Sequence, residues 1–367
     1  MTYCTGYTYL LFLLLGLPMF TVGCADEDGA VFEPHLEEQQ FDTQDHALIG
    51  GGRTGAQAGI VSIEIQGDPE VHTGVLIAED LVLTSSRIVP RGTLPSEVTV
   101  TQPYNSSSDV VRTGRFINHS NYYPAAIIQV SAPFSGIPLT ALDNRSASSL
   151  VGVELHCYSY ANSPSDLRRI VQRVLRTVGG NKVEALDVWG VWGTIEDSDS
   201  GSPCVDLNTG TLVSFSSGSS ASGNQQYLIQ SMRSWIDGMR HLAQVRTSGR
   251  AYGPVAIYNR PNSSNSRMCL DIPWGGPFNH MSVNQYPCHG GTNQQYWLDY
   301  GPNYRYAVLV SESSGRCLDL PGGSTSAGTN IQQYSCHGGE NQQWDMRIAG
   351  SGSGILLKPV KALNRGI

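Results

Sequence analysis

Short segments in which apolar and polar residues alternate fill the chain between residues 48 and 240. Ile60–Ile65 (IVSIEI) and Thr73–Ile77 are typical, and turns rich in glycine, serine and proline separate them. One longer stretch, Tyr227–Arg240, carries apolar residues at helical spacing. The apolar run Tyr9–Leu17 is too short to span a bilayer. The pattern therefore predicts an all-β fold with one helix.

Composition narrows the classes of partner. The 367 residues are only 15% charged, carry a formal net charge of -8, and leave room for two domains. Nucleic acid is not an expected partner, because polyanion binding needs clustered positive charge and the chain has no Lys/Arg runs. Eight of the 31 acidic residues lie in residues 25–47, so the rest of the chain balances at 23 acidic and 23 basic residues. The negative charge belongs to one segment.

The N-terminus has the features of an export signal. Residues 1–24 hold the apolar run and no charged side chain, and they are predicted to be a signal peptide of lipoprotein type. Thr21–Cys24 (TVGC) resembles a bacterial lipobox, which implies lipidation of Cys24; ordinary cleavage beside an incidental cysteine is the alternative. Residues 25–47 are predicted to be an acidic, disordered tether. The expected location is the bacterial outer membrane or cell surface, with secretion as the alternative.

Cysteine usage agrees with export. Removing Cys4 with the signal and assigning Cys24 to the lipid leaves six cysteines, an even number that suggests disulfides in an oxidising compartment. These six are Cys157, Cys204, Cys269, Cys288, Cys317 and Cys336. No metal ion and no cofactor is expected.

Ordered motifs in residues 48–245 resemble the chymotrypsin/trypsin family. The matching segments are Leu48–Gly51 (LIGG), Gly74–Ile77 (GVLI), Val82–Arg87 (VLTSSR), His119–Tyr122 (HSNY), Ala126–Pro133 (AIIQVSAP) and Asp199–Pro203 (DSGSP). The resemblance implies a chymotrypsin-like double β-barrel, and residues 246–254 are predicted to be a linker that follows it.

The positions that carry catalysis in that family are altered. By the resemblance, Ser200 occupies the nucleophile position, Arg87 replaces the histidine base and Pro124 replaces the aspartate that orients it. A guanidinium remains protonated and cannot accept the serine proton, and proline has no side-chain acceptor. Loss of base and orienting acid removes most of the chemical advantage of the triad. An inactive protease-like domain is expected.

Two further features follow from this resemblance. His72 falls where the family has a cysteine close to the nucleophile, so it could act as a displaced base for Ser200. The favoured interpretation is that His72 fills the space of a missing disulfide, because no orienting carboxylate is identified in the sequence. Relative to the family's bridge, Cys157 is two residues later and Cys204 two residues earlier, which preserves their opposition in antiparallel strands and predicts a Cys157–Cys204 disulfide.

The C-terminal part of the chain contains an internal repeat with a period of 48 residues. Cys269–Ile272 (CLDI) recurs as Cys317–Leu320 (CLDL), and Tyr286–Tyr296 recurs as Tyr334–Trp344. This pattern resembles the ricin B-type β-trefoil lectins, so residues 255–367 are predicted to form such a domain. The 19-residue intervals predict disulfides Cys269–Cys288 and Cys317–Cys336.

The lectin resemblance implies carbohydrate binding and glycans or glycoproteins as partners. Aspartates would accept bonds from sugar hydroxyls, tyrosines would stack on the apolar face of a pyranose ring, and amides would fix further hydroxyls. The candidate residues are Asp271, Asn284, Tyr286 and Asn293 in the first repeat, and Asp319, Gln332, Tyr334 and Asn341 in the second. The second repeat is the better candidate, because Gln332 matches the family where Asn284 has a shorter side chain.

A β-trefoil needs three such units, and the third is expected to be truncated. Residues 348–367 include Ile355–Leu357 and Asn364–Gly366, which resemble the lead-in to a third repeat. Either the sequence stops early or another chain completes the domain, and unpaired strand edges would favour self-association.

Taken together, these features predict an exported, surface-anchored carbohydrate-binding protein with a catalytically impaired protease-like domain, and a role in glycan recognition or adhesion. The alternatives are an active serine endopeptidase that its lectin domain targets to glycoconjugates, and a decayed gene product without stable function.

Overall fold

A computed structural model describes most of the chain after the predicted signal and tether. The described residues are 52–53, 57, 59–103, 109–160, 164–187, 199–220, 223–259, 267–301, 305–348 and 355–363. The predictions for the signal peptide, Cys24, the tether and Asn364–Gly366 fall outside these residues. No helix in the described part of the chain is both long enough and apolar enough to cross a membrane.

Six antiparallel strands close into a first barrel. They are β2 (Ile60–Ile65), β3 (Val71–Ala78), β4 (Leu81–Ser85), β5 (Val98–Gln102), β6 (Val110–His119) and β7 (Ala125–Val130). The strand order is β2-β3-β4-β7-β6-β5, and β5 returns to pair with β2. Alternate residues fill the interior, including Val61, Ile63, Leu76 and Val100. The predicted alternating segments therefore form a closed structure.

A second barrel follows with the same number of strands. Its members are β8 (Glu154–Tyr160), β9 (Leu167–Val178), β10 (Lys182–Asp187), β11 (Pro203–Asp206), β12 (Leu212–Ser220) and β13 (Gly223–Leu228). Pairing of β8 with both β9 and β11 closes it, and the short β1 (Gly52–Arg53) adds to β9. Cys157 on β8 lies directly opposite Cys204 on β11, and the two form the predicted disulfide.

The helix α1 (Ile229–Thr247) begins two residues later and ends seven residues later than predicted. Tyr227 belongs to β13, where it pairs with Lys182 and Phe215, so strand pairing prevails at the predicted start. Beyond Arg240 the apolar face continues through Leu242, which is buried. Residues 246–254, predicted to be a linker, contain the end of α1 and the start of β14.

The two repeats form the C-terminal part of the structure. The strands are β14 (Ala251–Ala256), β15 (Met268–Asp271), β16 (Met281–Ser282), β17 (Asn284–Pro287), β18 (Gln295–Tyr300), β19 (Ala307–Ser311), β20 (Cys317–Asp319), β21 (Gln332–Tyr334), β22 (Gln343–Ile348) and β23 (Ile355–Pro359), followed by the short helix α2 (Val360–Leu363). The predicted period is visible in the structure, because β22 lies 48 residues after β18 at both ends. Both predicted disulfides are present, one in each repeat.

A single apolar cluster joins the barrels, α1 and the repeats. Trp235 and Met239 of α1 pack in this cluster together with Leu83 of the first barrel, Phe215 of the second and Trp297 of β18. Because α1 contributes to the cores on both sides, it positions the repeats against the barrels. The all-β prediction is confirmed, with α1 as the one long helix among the described residues.

Candidate functional site

The second repeat holds its carboxylate in a nearly closed cage of amides. Asp319 ends β20 and is 2% exposed. Its Oδ1 accepts a hydrogen bond from Nε2 of Gln332 (2.8 Å), and its Oδ2 accepts bonds from Nδ2 of Asn341 (2.7 Å) and Nε2 of Gln342 (3.1 Å). The ladder pairs Asp319 with Gln332 directly across β20 and β21. The structure thus brings together three of the four residues that the sequence predicted for this repeat.

Gln342 positions the carboxylate of Asp319 and is absent from the site residues that the sequence predicted. It is buried, and its Nε2 donates to both Asp319 and the carbonyl of Ser335. Its Oε1 accepts from the backbone amides of His337 and Gly338. Because all these bonds are made inside the protein, the carboxylate is held in one orientation. The recurrence of CHGG followed by Asn-Gln in both repeats is the sequence signal that could have identified it.

The first repeat reproduces the cage with one member missing. Oδ2 of Asp271 accepts bonds from Nδ2 of Asn293 (2.8 Å) and Nε2 of Gln294 (3.0 Å). Asn284 lies opposite Asp271 in the ladder, but it is exposed and makes no side-chain bond to that carboxylate among the described residues. The shorter side chain explains this difference, since Gln332 spans the same gap in the second repeat.

The predicted aromatic platforms differ in exposure. Tyr286 is 55% exposed, with His289 as its ring neighbour at 6.0 Å between centroids. Tyr334 is only partly buried, and it lies between His280 (5.0 Å) and His337 (6.1 Å). His280 also contacts Oε1 of Gln332 through its Nδ1 (3.2 Å). The first repeat offers the more open ring, whereas the second has the more complete polar cage.

A histidine also lies beside each carboxylate. Nε2 of His289 is 3.6 Å from Oδ2 of Asp271, and Nε2 of His337 is 3.7 Å from Oδ2 of Asp319. Each of these imidazoles further accepts a backbone N–H through Nδ1, from Gly291 and Gly339. A sugar hydroxyl that bonds to the carboxylate would therefore meet amide, imidazole and aromatic groups at one place.

The nucleophile position of the protease-like domain lies in a tight loop between the barrels. Ser200 is 0% exposed, and its buried Oγ has no hydrogen-bond partner among the residues that the structure describes. The next residue, Gly201, has φ 90°, and a Cβ there would lie 2.5 Å from Oγ1 of Thr84 and 2.9 Å from the carbonyl oxygen of Thr73. Only glycine fits this close approach. Asp199 is also buried and accepts a bond from Ser159 Oγ (2.8 Å).

The two substituted triad positions are neighbours, as the resemblance implies. The amide of Ser86 donates to the carbonyl of Pro124 (3.1 Å), which places Arg87 beside the proline. Arg87 is exposed, and its backbone amide donates to Oγ of Ser85 (3.2 Å). Neither position supplies a general base, since arginine stays protonated and proline has no acceptor side chain.

His72 has the carboxylate partner that the sequence did not reveal. Its Nε2 lies 3.0 Å from Oδ2 of Asp68, while its buried Nδ1 has no hydrogen-bond partner in the described part of the chain. Although burial acts to raise it, bonds from the Glu70 amide and from His72 lower the pKa of Asp68. The sequence did not identify this carboxylate because it lies four residues earlier, where a turn leads into β3. Ser200 makes no hydrogen bond to this pair.

Comparison with known proteins supports the assignment of the C-terminal part. Residues 255–355 match the family model of the ricin-type beta-trefoil lectin domain. No curated protein matches the chain.

Several solved structures are similar to parts of the chain. Scabies mite inactivated protease paralogue S-I1 has 18% identity and a TM-score of 0.43, with 52% of this chain and 98% of that chain covered. A Glu endopeptidase has 19% identity and a TM-score of 0.39 (50% and 93% covered), and the designed three-fold symmetric protein ThreeFoil has 38% identity and a TM-score of 0.24 (26% and 66% covered). Two closed six-stranded barrels are followed by the helix α1 and then by the two matched repeats. The chain therefore carries a protease-like domain with the chymotrypsin-like fold, followed by a ricin-type β-trefoil lectin domain.

Proposed function

We propose that this protein is an exported, surface-anchored carbohydrate-binding protein, with a role in glycan recognition or adhesion, whose protease-like domain no longer catalyses proteolysis. The observation that carries the proposal is the amide-held carboxylate of Asp319, with its counterpart Asp271 in the other repeat. Both belong to the matched lectin domain.

The arrangement suits a sugar because a pyranose presents hydroxyl edges and C–H faces. Each carboxylate has about four lone-pair positions, and the cage around Asp319 uses three of them, so one acceptor position remains. Asp271 has both positions of Oδ1 available among the described residues. An adjacent tyrosine in each repeat can stack on the apolar face of the ring.

Loss of proteolysis follows from the substituted positions. Without a base, the hydroxyl of Ser200 keeps its proton, and what remains of the family mechanism is substrate binding and oxyanion stabilisation. The full burial of Ser200 adds a second obstacle, because a peptide carbonyl must reach Oγ before it can be attacked.

The alternative, an active endopeptidase directed to glycoconjugates by its lectin domain, has one observation in its favour. The Asp68–His72 pair resembles the orienting acid and base of a triad in its chemistry. The buried and unbonded Oγ of Ser200 favours the inactive interpretation, in which His72 is a packed side chain.

Anchoring and self-association belong to the same proposal. Lipidation of Cys24 would hold the domains at a membrane surface through the acidic segment that follows it. In the lectin domain β23 pairs only with β22 among the described strands, so its other edge can accept a further strand. Mass spectrometry of the mature N-terminus and sedimentation of the purified protein test these two points.

A glycan array with the mature protein tests carbohydrate binding. We expect binding that weakens about tenfold or more in Asp319→Asn, since bonds to charged acceptors contribute about 1.5–3 kcal/mol, and that disappears when Asp271→Asn is added. Glu340→Gln, which removes an exposed carboxylate paired with Lys361, is the matched control and should bind normally. Thermal unfolding shows whether each variant is folded. A wild-type protein that binds no glycan refutes the proposal.

Proteolysis is tested separately. Incubation with an organophosphate probe and with protein substrates should give neither labelling nor cleavage. Labelling and turnover that Ser200→Ala and His72→Ala both abolish would establish the endopeptidase instead.

A further inference from the structure

An exposed tryptophan stands beside the first sugar site and has no counterpart in the second. Trp274 lies in the 3-10 turn Pro273–Gly275, and its side chain is 81% exposed. The position 48 residues later is Gly322, in the matching turn Pro321–Gly323. The two repeats therefore share a backbone at this point but differ in what they present to solvent.

The backbone at this turn has a conformation that disfavours large side chains. Trp274 has φ 60°, and Gly322 has nearly the same value, 58°. A bulky residue with positive φ is an outlier, and such outliers concentrate where the side chain has a task. The turn is fixed by the bond from the Gly275 amide to the Ile272 carbonyl (2.9 Å). The backbone that carries the indole is thus held at a defined place.

A short, hydrogen-bonded segment connects Trp274 to Asp271, the carboxylate of the first repeat. Asp271 lies three residues earlier, so their Cα atoms are at most about 11 Å apart. Ile272 between them donates its amide to the Asn293 carbonyl (3.0 Å), and its own carbonyl accepts from Asn293 Nδ2 (3.2 Å). Because the same Asn293 Nδ2 also holds Asp271, one amide sets both the carboxylate and the start of the turn that carries the indole.

The protease-like domain extends this surface. Nδ2 of Asn121, in the loop between β6 and β7, donates to the Trp274 carbonyl (3.1 Å). The adjacent Tyr122 packs edge-on against Phe278 with 5.4 Å between centroids, and each of these two rings is 43% exposed. A Cβ on Gly276 would lie 3.3 Å from the Tyr122 hydroxyl, so the loop and the turn are in close contact.

Polar groups border the rings as a carbohydrate requires. Nη2 of Arg91, an exposed residue of the first barrel, donates to Oδ1 of Asn121 (2.6 Å) and to the Ser120 carbonyl (3.5 Å). Nε and Nη1 of Arg91 make no hydrogen bond to the residues that the structure describes, which leaves donors for hydroxyl oxygens. Exposed aromatic faces beside hydrogen-bond donors match the C–H faces and hydroxyl edges of successive sugar units.

From this continuity we infer that the first sugar site is shared between the two domains and takes an oligosaccharide, with one unit at Asp271, the next on Trp274, and the chain running on towards Tyr122. The inference rests on the proposed carbohydrate binding. It gives the protease-like domain a task that needs no catalysis, namely to complete a glycan-binding surface.

The test uses the full mature chain with Asp319→Asn, so that only the first repeat is measured. The probes are galactose, xylose and N-acetylglucosamine and their oligomers of two to four units, titrated by calorimetry. We expect the tetramer of the bound series to bind at least tenfold more tightly than its monomer. Trp274→Gly should lower tetramer affinity by about two- to tenfold, the value of one aromatic stack, and leave monomer affinity unchanged.

Trp274→Gly should leave the fold intact, because glycine occupies the equivalent position, with nearly the same φ, in the second repeat. Tyr122→Ser should also lower tetramer affinity alone, whereas Tyr252→Ser, which removes an exposed ring of β14, should have no effect. Equal affinity for monomer and tetramer, or a tetramer affinity that survives Trp274→Gly, overturns the inference while the proposed function stands. If the unmodified protein binds none of the sugars on the array or in these series, the inference and the proposed carbohydrate binding are both refuted.

Discussion

Replacing Tyr296 by phenylalanine is expected to stabilise the protein. Tyr296 on β18 is almost completely buried in the lectin core beside Leu298 and Leu309, and its hydroxyl has no hydrogen-bond partner among the described residues of the chain. Burial, reinforced by the negative charge of Asp271, raises the pKa of Tyr296, so the group stays neutral but unpaired. The equivalent residue, Trp344, satisfies its ring nitrogen by donating from Nε1 to the Leu318 carbonyl (3.2 Å). Among the described residues, the first repeat therefore buries an unpaired hydroxyl, whereas the polar atom at the same position of the second repeat is hydrogen-bonded.

The size of the effect follows from that missing bond. Leaving a buried donor unpaired costs about 1–3 kcal/mol, and phenylalanine keeps the ring while removing the oxygen. A gain of this size should raise the unfolding midpoint by about 2 °C or more in a protein of this length. Most substitutions destabilise, so an increase is an uncommon outcome.

Differential scanning calorimetry on Tyr296→Phe measures the change, with Trp344→Phe as the matched variant in the other repeat. Trp344→Phe should lower the midpoint, because it loses a bond and leaves a cavity. A fall of 1 kcal/mol or more in the stability of Tyr296→Phe would show that the hydroxyl is bonded in the native protein, and would refute the reasoning.

Two further changes test charges that hold the structure together. Glu312→Ala should destabilise by about 3–5 kcal/mol in a urea titration, because it leaves the buried guanidinium of Arg246 unpaired between the domains, whereas a loss below 1 kcal/mol would contradict this role. Burial alone would raise the pKa values of Asp143 and Asp206, but bonds from Arg145 and nearby backbone amides outweigh it and lower both. Carboxyls with lowered pKa values stabilise the fold above their unfolded pKa of about 4, and this contribution is lost as the pH falls through the folded values. Thermal midpoints between pH 6 and 2 should therefore fall less steeply in Arg145→Met than in the wild type, and identical slopes would contradict the assignment.

The fold could be predicted where a motif constrains the backbone by itself. The recurrence of Cys269 as Cys317 predicted the repeat, and the alternation in Ile60–Ile65 predicted a strand that the structure places in the first barrel. The start of the helix could not be predicted in the same way, because Tyr227 suits both a helix and the β13 ladder and only its partners across the barrel decide. Local pattern fixes the type of element, whereas its ends depend on distant residues.

In the candidate sites, too, local pattern predicts some features, whereas others depend on distant residues. The ladder opposition of Asp319 and Gln332 could be predicted from the resemblance, but the bond from Gln342 depends on a loop that returns to the carboxylate. Asp68 was missed because its role requires the turn before β3, and Trp274 because its neighbours include a loop of the other domain. What the sequence lacks in each case is the geometry of a loop.

The packing around α1 bears on why the two domains occur together. Trp297 and Val310 of the repeats are buried in the cluster that contains Trp235 and Met239 of α1. Oε2 of Glu312 accepts a bond from Nε1 of Trp297 (2.6 Å), and Asn118 of the first barrel donates to the backbone carbonyl of the same Glu312 (3.2 Å). Because the protease-like domain supplies both the apolar cover and the polar partners, the repeats depend on it for burial. The barrels therefore have a structural role towards the repeats that does not depend on catalysis.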